Sequence, residues 1–233
     1  MKKDPVLLSP LKDEIVYRRA AFVYNRLYIL FGEPEWRQQP PLDELISTLL
    51  SQNTNDRNRD AAYQSLRAKY PTWEAVRDAD PGAVIESIRT AGLANLKGPR
   101  IQRLLREITA ERGSLDLEFL HGLPPVEARS WLLRFQGVGP KTAAIVLVFS
   151  LGMPAFPVDT HVHRVSGRLG LRPEKMTAEE AHDHMAALFP VEAYGTAHLN
   201  LIRLGREICH ARKPDCQACL LRDLCPYPDK PQP

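Results

Sequence analysis

Three groups of residues in this 233-residue chain could do chemistry. The first is its only four cysteines, Cys209, Cys216, Cys219 and Cys225. Four thiolates so close together could hold a tetrahedral zinc or a [4Fe–4S] cluster. Structural zinc usually shows two short Cys-x2-Cys spacings, and only Cys216 to Cys219 fits one. Wide, unequal spacings wrap better around the larger object, so a cluster is favoured over zinc. The second group is the run Gly137-Val138-Gly139-Pro140-Lys141-Thr142. Glycines there allow a tight turn with close backbone approach. Successive amides at a helix N-terminus can hold a phosphate. Lys141 would stand on the first turn of the following helix. An ammonium there opposes the helix dipole, which favours the neutral amine that nucleophilic chemistry needs. The third is Val158-Asp159-Thr160-His161-Val162-His163. Asp159 is the only acid between Ala128 and Pro173, against six lysines and arginines. It reads as a helix cap, a functional carboxylate, or both. His161 and His163 could suggest a metal but do not share a helix face, and His161 is read as a structural or packing histidine.

These groups need helices to position them. Strand-like alternation is almost absent, and helical signals run throughout. Expected helices are Leu11 to Phe31, Leu42 to Ser51, one capped at Asn55 or Asp56 that runs toward Tyr70, and one from Asp80-Pro81 that Gly92 closes. Further helices are expected over Leu96 to Glu111, from Pro124-Pro125 to Arg134, and over Lys141 to Leu151. The last three follow Asp159, then the capping box Thr177 to Glu180, and then span Val191 to His210. About a dozen helices with short links make an all-α protein. Hydrophobic residues are 44% and charged residues 25%, which excludes a largely disordered chain. The N-terminal Met1-Lys2-Lys3-Asp4-Pro5 lacks the apolar run of a signal peptide, and no stretch is long enough to span a membrane. A reducing, cytoplasmic location is expected. The net charge is only +3, but residues 89–106 hold five basic residues and no acid. That clustering suits phosphate neutralisation.

The hairpin run, the Asp159 segment and the four cysteines, in that order, resemble the endonuclease III family. This is the helix-hairpin-helix DNA glycosylase/AP lyase family with a [4Fe–4S] cluster, and the likeness runs from about Leu42 to Cys225. The resemblance implies two helical lobes with DNA bound across the cleft between them. One would be a six-helix barrel over residues 32–153, carrying the hairpin. The other would join residues 1–31 to 154–233 and carry the cluster on Cys209, Cys216, Cys219 and Cys225. It also implies that Lys141 attacks C1′ of a flipped-out damaged nucleotide and forms a Schiff base, with Asp159 assisting, and that β-elimination then cuts the strand. Gln52, Asn55, Leu93, Gly137, Val138, Gly139, Thr142, Arg212 and Lys213 would contact DNA. Among them Gln52 would fill the gap left by the flipped nucleotide, and Leu93 would act as an apolar wedge. The implied partner is double-stranded DNA with a damaged base or abasic site, bound by a nucleoid-associated monomer of prokaryotic type. Oxidised or damaged pyrimidines are the expected substrates.

Departures from the family pattern are Phe135-Gln136 in the hairpin, Asn55 in place of an aspartate, and extra residues around Leu115 to Val126. They bear on the substrate range more than on the reaction. The rival readings are a monofunctional mismatch or adenine glycosylase, which would lack the hairpin lysine, and a non-catalytic DNA-binding iron–sulfur protein.

Overall fold

The computed structural model describes residues 10–227. The reading of Met1 to Pro5 lies outside the described residues. Among the described residues all regular structure is helical. The chain forms two compact units, one of Arg37–Met153 and one of Met1–Trp36 with Pro154–Pro233.

The second of these units begins with α1 (Pro10–Phe31). Gly32 stops α1 at a positive φ of 72°, and Asn200 Nδ2 donates to the Gly32 carbonyl at 3.0 Å. The Arg37–Met153 unit holds α2 (Pro41–Ser51), α3 (Asp56–Lys69), α4 (Trp73–Asp78), α5 (Pro81–Ser87), α6 (Ala94–Arg112), α7 (Pro125–Leu133) and α8 (Pro140–Ile145). The chain then returns to the first-named helix with α9 (Thr160–Arg168), α10 (Ala178–Leu188) and α11 (Tyr194–Glu207). Asn55, Asp80, Asp159 and Thr177 cap α3, α5, α9 and α10, and Thr177 with Glu180 completes the capping box. Each such cap contributes on the order of 1 kcal/mol.

Several boundaries differ from the sequence reading, each for a local reason. The interval between Pro71 and Pro81 is helical as α4, too short for a periodic pattern to show. Gly92 closes a separate 3-10 turn, Arg89–Ala91, after α5 has ended at Ser87. The helix after the hairpin changes to a π-type turn over Val146–Ser150, where the Leu151 amide donates to the Val146 carbonyl at 3.2 Å. The run expected over Val191 to His210 is a 3-10 turn at Val191–Ala193 followed by α11, which ends at Glu207.

The core of the Arg37–Met153 unit is made by Leu45, Ile46, Leu49 and Leu50 of α2, by Ile101, Leu104, Leu105 and Ile108 of α6, and by the fully apolar run after the hairpin. Each of these large side chains contributes about 1.5–3 kcal/mol on burial. In the other unit α11 packs on α9 and α1 around Leu27, Val162, Val165, Leu201 and Leu204.

Candidate functional site

The helix-turn-helix of α7 and α8 is built around Gly137. Its φ is +90°, where a side chain is strained. A Cβ there would lie 2.3 Å from Arg100 Cδ on α6. The Val138 amide closes the turn onto the Phe135 carbonyl at 3.0 Å. Gln52 Nε2 donates to the Gly137 carbonyl at 3.0 Å, and Arg100 Nη1 donates to Gln52 Oε1 at 3.2 Å. Gln52 is therefore a brace between α6 and the hairpin. Gly137→Ala meets both the φ and the Arg100 side chain, so it should lower stability by more than about 1 kcal/mol. Urea unfolding midpoints of the two proteins measure this.

The departures in this region have a packing role. Phe135 is buried, with its ring edge-on to Trp131 at 4.7 Å, and Phe119 meets Trp131 from the other segment at 5.0 Å. Residues around Leu115 to Val126 thus form a 3-10 turn, Glu118–Gly122, that packs on the hairpin's first helix. Gln136 is exposed and accepts a hydrogen bond from Arg103.

Lys141 follows Pro140 in the first turn of α8 and is half-buried. On α2, which packs against α8, Glu44 accepts from the Thr48 hydroxyl at 3.1 Å. Burial pushes the Glu44 carboxyl up, while the Thr48 hydrogen bond and the charges of Arg59 and Lys141 pull it down. A carboxylate in the field of Lys141 is not marked in the sequence. Its only sign is one acid beside the apolar run that begins at Leu45.

The expected DNA-contacting residues separate into two kinds. Leu93 is 52% exposed and holds a left-handed φ of +50°, so its side chain stands out from the N-terminus of α6. Asn55 is exposed, and its Oδ1 accepts from the Asn58 amide at 2.9 Å as the α3 cap. Val138 and Thr142 are instead interior, at 5% and 3% exposure. The basic stretch 89–106 also divides. Lys97 is 3% exposed, and its ammonium donates to the Leu50 carbonyl at 2.7 Å and the Ala91 carbonyl at 2.8 Å. Burial pulls its pKa down. Lys97 therefore ties α6 to α2 and to the Arg89–Ala91 turn and does not present charge to solvent.

In the other unit Asp159 sits at the N-terminus of α9, where Oδ1 accepts from the Val162 amide at 2.7 Å. His161 Nδ1 lies 3.1 Å from Arg164 Nη2, and burial lowers its pKa. His163 Nε2 lies 2.9 Å from the Met176 carbonyl. Both histidines are packing residues. Arg164, Arg168 and Arg172 spend their donors on backbone carbonyls, among them Gly205, Cys209, His210, Ala211 and His163. Half of the basic run 128–173 is thus an internal brace, while Arg134 is exposed and pairs with Glu111.

Cys209, Cys216, Cys219 and Cys225 line one cavity with Leu169, Leu204 and Ile208. None is in a disulfide. Burial pushes the Cys219 thiol up, and the other three thiols raise it further, which marks them as one electrostatic group. Arg168 Nη1 donates to Cys209 Sγ at 3.4 Å. Among the described residues no three His, Cys, Asp or Glu side chains close around a single metal ion. Four thiols around an apolar cavity, with an arginine against one sulfur, suit a polynuclear cluster with net negative charge. Arg212 and Lys213 are exposed in the loop between Cys209 and Cys216, with Lys213 at a φ of +51°.

Residues 46–190 match the family model for HhH-GPD superfamily base excision DNA repair proteins. Endonuclease III of Thermotoga maritima is 34% identical over 191 residues, covering 82% of this chain and 85% of that protein. The chain belongs to the endonuclease III family. A relative from Arabidopsis thaliana is 39% identical over 68% of this chain, and the chain spans about half of it, 54%. A trapped endonuclease III–DNA covalent intermediate matches the structure with a TM-score of 0.79 at 27% identity, covering 90% of this chain and 95% of that one.

Residues 209–225 match the iron–sulfur binding domain of endonuclease III. The cofactor is a [4Fe–4S] cluster. In this endonuclease III homologue the N-terminal helix is tied to that segment: Arg26 Nη1 donates to the Leu220 carbonyl at 2.8 Å, and Nη2 to Asp223 Oδ2 at 2.8 Å. The purified protein should be brown with a broad visible absorption. Cys219→Ser should bleach it and lower the thermal midpoint by several degrees, because losing a ligand frees the loop. A colourless wild-type protein containing zinc contradicts the assignment.

Proposed function

We propose that this chain is a bifunctional DNA glycosylase/AP lyase that removes oxidised or damaged pyrimidines from duplex DNA. Membership of the base excision repair superfamily supports the glycosylase part. The observation that carries the lyase part is Lys141 in the first turn of α8, directly after the hairpin. A damaged nucleotide is flipped out because its C1′ is unreachable in the stack. The Lys141 amine attacks C1′, the glycosidic bond breaks, and the electron pair leaves with the base. The sugar ring opens as C1′ and Nζ form an imine. Loss of a proton from C2′ and departure of the 3′ phosphate then complete β-elimination. Asp159 takes a proton from the lysine and offsets positive charge at the sugar. The hairpin backbone at Gly137 and Gly139 holds a phosphate near the lesion without reading sequence. Leu93 wedges the helix open beside the lesion.

Cys209, Cys216, Cys219 and Cys225 would hold the cluster, which supplies a structural staple for the loop bearing Arg212 and Lys213. Those two cations neutralise DNA phosphates. Gln52 fits the gap-filling role only if it releases Arg100 and Gly137 when DNA binds.

A panel of duplexes tests the reading: oxidised pyrimidines, G·T and A·G mismatches, and abasic sites. Release of oxidised pyrimidines with nicking at the 3′ side is expected. Release of adenine or thymine from mismatches, without nicking, contradicts it.

A further inference from the structure

Asp159 ends a stretch, Ala155 to Asp159, that has no regular secondary structure yet is buried at Phe156, Pro157 and Val158. Buried irregular backbone must find hydrogen-bond partners outside itself. Two consecutive carbonyls find them in histidines. His182 of α10 places Nδ1 2.9 Å from the Phe156 carbonyl, and His198 of α11 places Nδ1 2.9 Å from the Pro157 carbonyl. A carbonyl only accepts, so both Nδ1 atoms carry the proton and donate. The imidazoles are 5% and 1% exposed. The Phe156 ring, stacked on Phe189 at 5.4 Å and edge-on to Tyr194 at 5.5 Å, fixes the same residue from its other side. Beyond these anchors only Val158 precedes Asp159, whose own Oδ1 is fixed to the Val162 amide.

We propose that His182 and His198 are positioning residues for Asp159. Their paired Nδ1–H donors hold the Phe156 and Pro157 carbonyls, fix the path of the chain into α9, and so fix the carboxylate. The inference rests on the reading of Asp159 as the assisting carboxylate. A general packing role for these histidines would need no particular ring nitrogen. Here both rings use the same one on adjacent carbonyls, and that is a chemical requirement a substitution can probe.

The experiment uses the full chain with its cluster and a duplex bearing one oxidised pyrimidine. It reads the single-turnover rate of base release at saturating enzyme, and the Kd for DNA separately. His198→Leu and His182→Leu should each lower the rate about 10- to 100-fold, the scale of a 1 Å misplacement, with Kd within about 2-fold. His198→Asn, whose Nδ2–H lies near the place of Nδ1–H, should recover most of the rate. His198→Gln, whose amide reaches to the place of Nε2, should not. Met185→Ala, which removes buried side-chain volume from the same face of α10 but neither hydrogen bond, should lower the thermal midpoint and leave the rate unchanged.

Histidine variants at the wild-type rate, beside an inactive Asp159→Asn, overturn the positioning role and leave the Asp159 reading intact. An Asp159→Asn protein at the wild-type rate overturns the Asp159 reading itself. A rate loss that Met185→Ala reproduces, or equal rates for the Asn and Gln variants, reduces the histidines to packing. Where the leucine variants do not fold, the Asn and Gln pair decides.

Discussion

Lys141→Ala should bind an abasic-site duplex, yet neither nick it nor be trapped on it by borohydride. The substitution removes the amine proposed to form the imine. It should not disturb the fold, because alanine is the best helix former and Lys141 is the second residue of a helix already started by Pro140. Losing one cation near the phosphates should reduce the salt dependence of DNA binding by about one unit of slope. Base release should fall with nicking, because the same amine displaces the base. The same unit holds two other lysines: Lys97, whose ammonium is committed to two carbonyls in the interior, and Lys69, which donates to the Ala83 carbonyl at 3.4 Å and lies over the Tyr70 ring. Trapping that survives Lys141→Ala at wild-type yield would place the chemistry on a different amine.

Asp159→Asn should lower the rate of base release about 10²- to 10⁴-fold, the usual range for a positioned acid–base group. DNA affinity should change only a few-fold. The asparagine keeps an Oδ1 for the Val162 amide, so the cap on α9 survives. Asp159→Ala should show the same rate loss and, in addition, about 1 kcal/mol lower stability from the lost cap. Single-turnover rates and urea titrations of both variants separate the two effects. Equal losses in rate and affinity for Asp159→Asn would make Asp159 a structural cap alone.

Much of the frame was legible because local chemistry dictated it. Asn55, Asp80, Asp159 and Thr177 cap their helices as their types and positions require. Gly137 takes a positive φ at a turn where a side chain would also collide with Arg100. The run from Ala143 to Phe149 is buried at all but Val148 because it has no polar face. What escaped were features decided by tertiary packing. α4 is one short helix between two prolines, with too few residues to show a period. The charge runs divide on folding: Arg89, Arg103 and Arg106 stay exposed, whereas Lys97, Arg164, Arg168 and Arg172 turn onto carbonyls at helix ends and loops. Long basic side chains do this readily, since the stem packs while the head donates. Gln52 was legible as a loop amide, whereas its link to Arg100 and Gly137 joins residues far apart in the chain. His182 and His198 carry no local signal at all, because their partners lie 26 and 41 residues earlier.

The proposed role of Lys141 as the nucleophile of a glycosylase/lyase is decided by borohydride reduction of the wild-type protein on an abasic-site duplex, followed by digestion and mass spectrometry of the nucleotide-bearing peptide. A single adduct is expected, a secondary amine between the sugar remnant and Nζ of Lys141. Failure of the wild-type protein to trap, or an adduct mapped to any other residue, would contradict it.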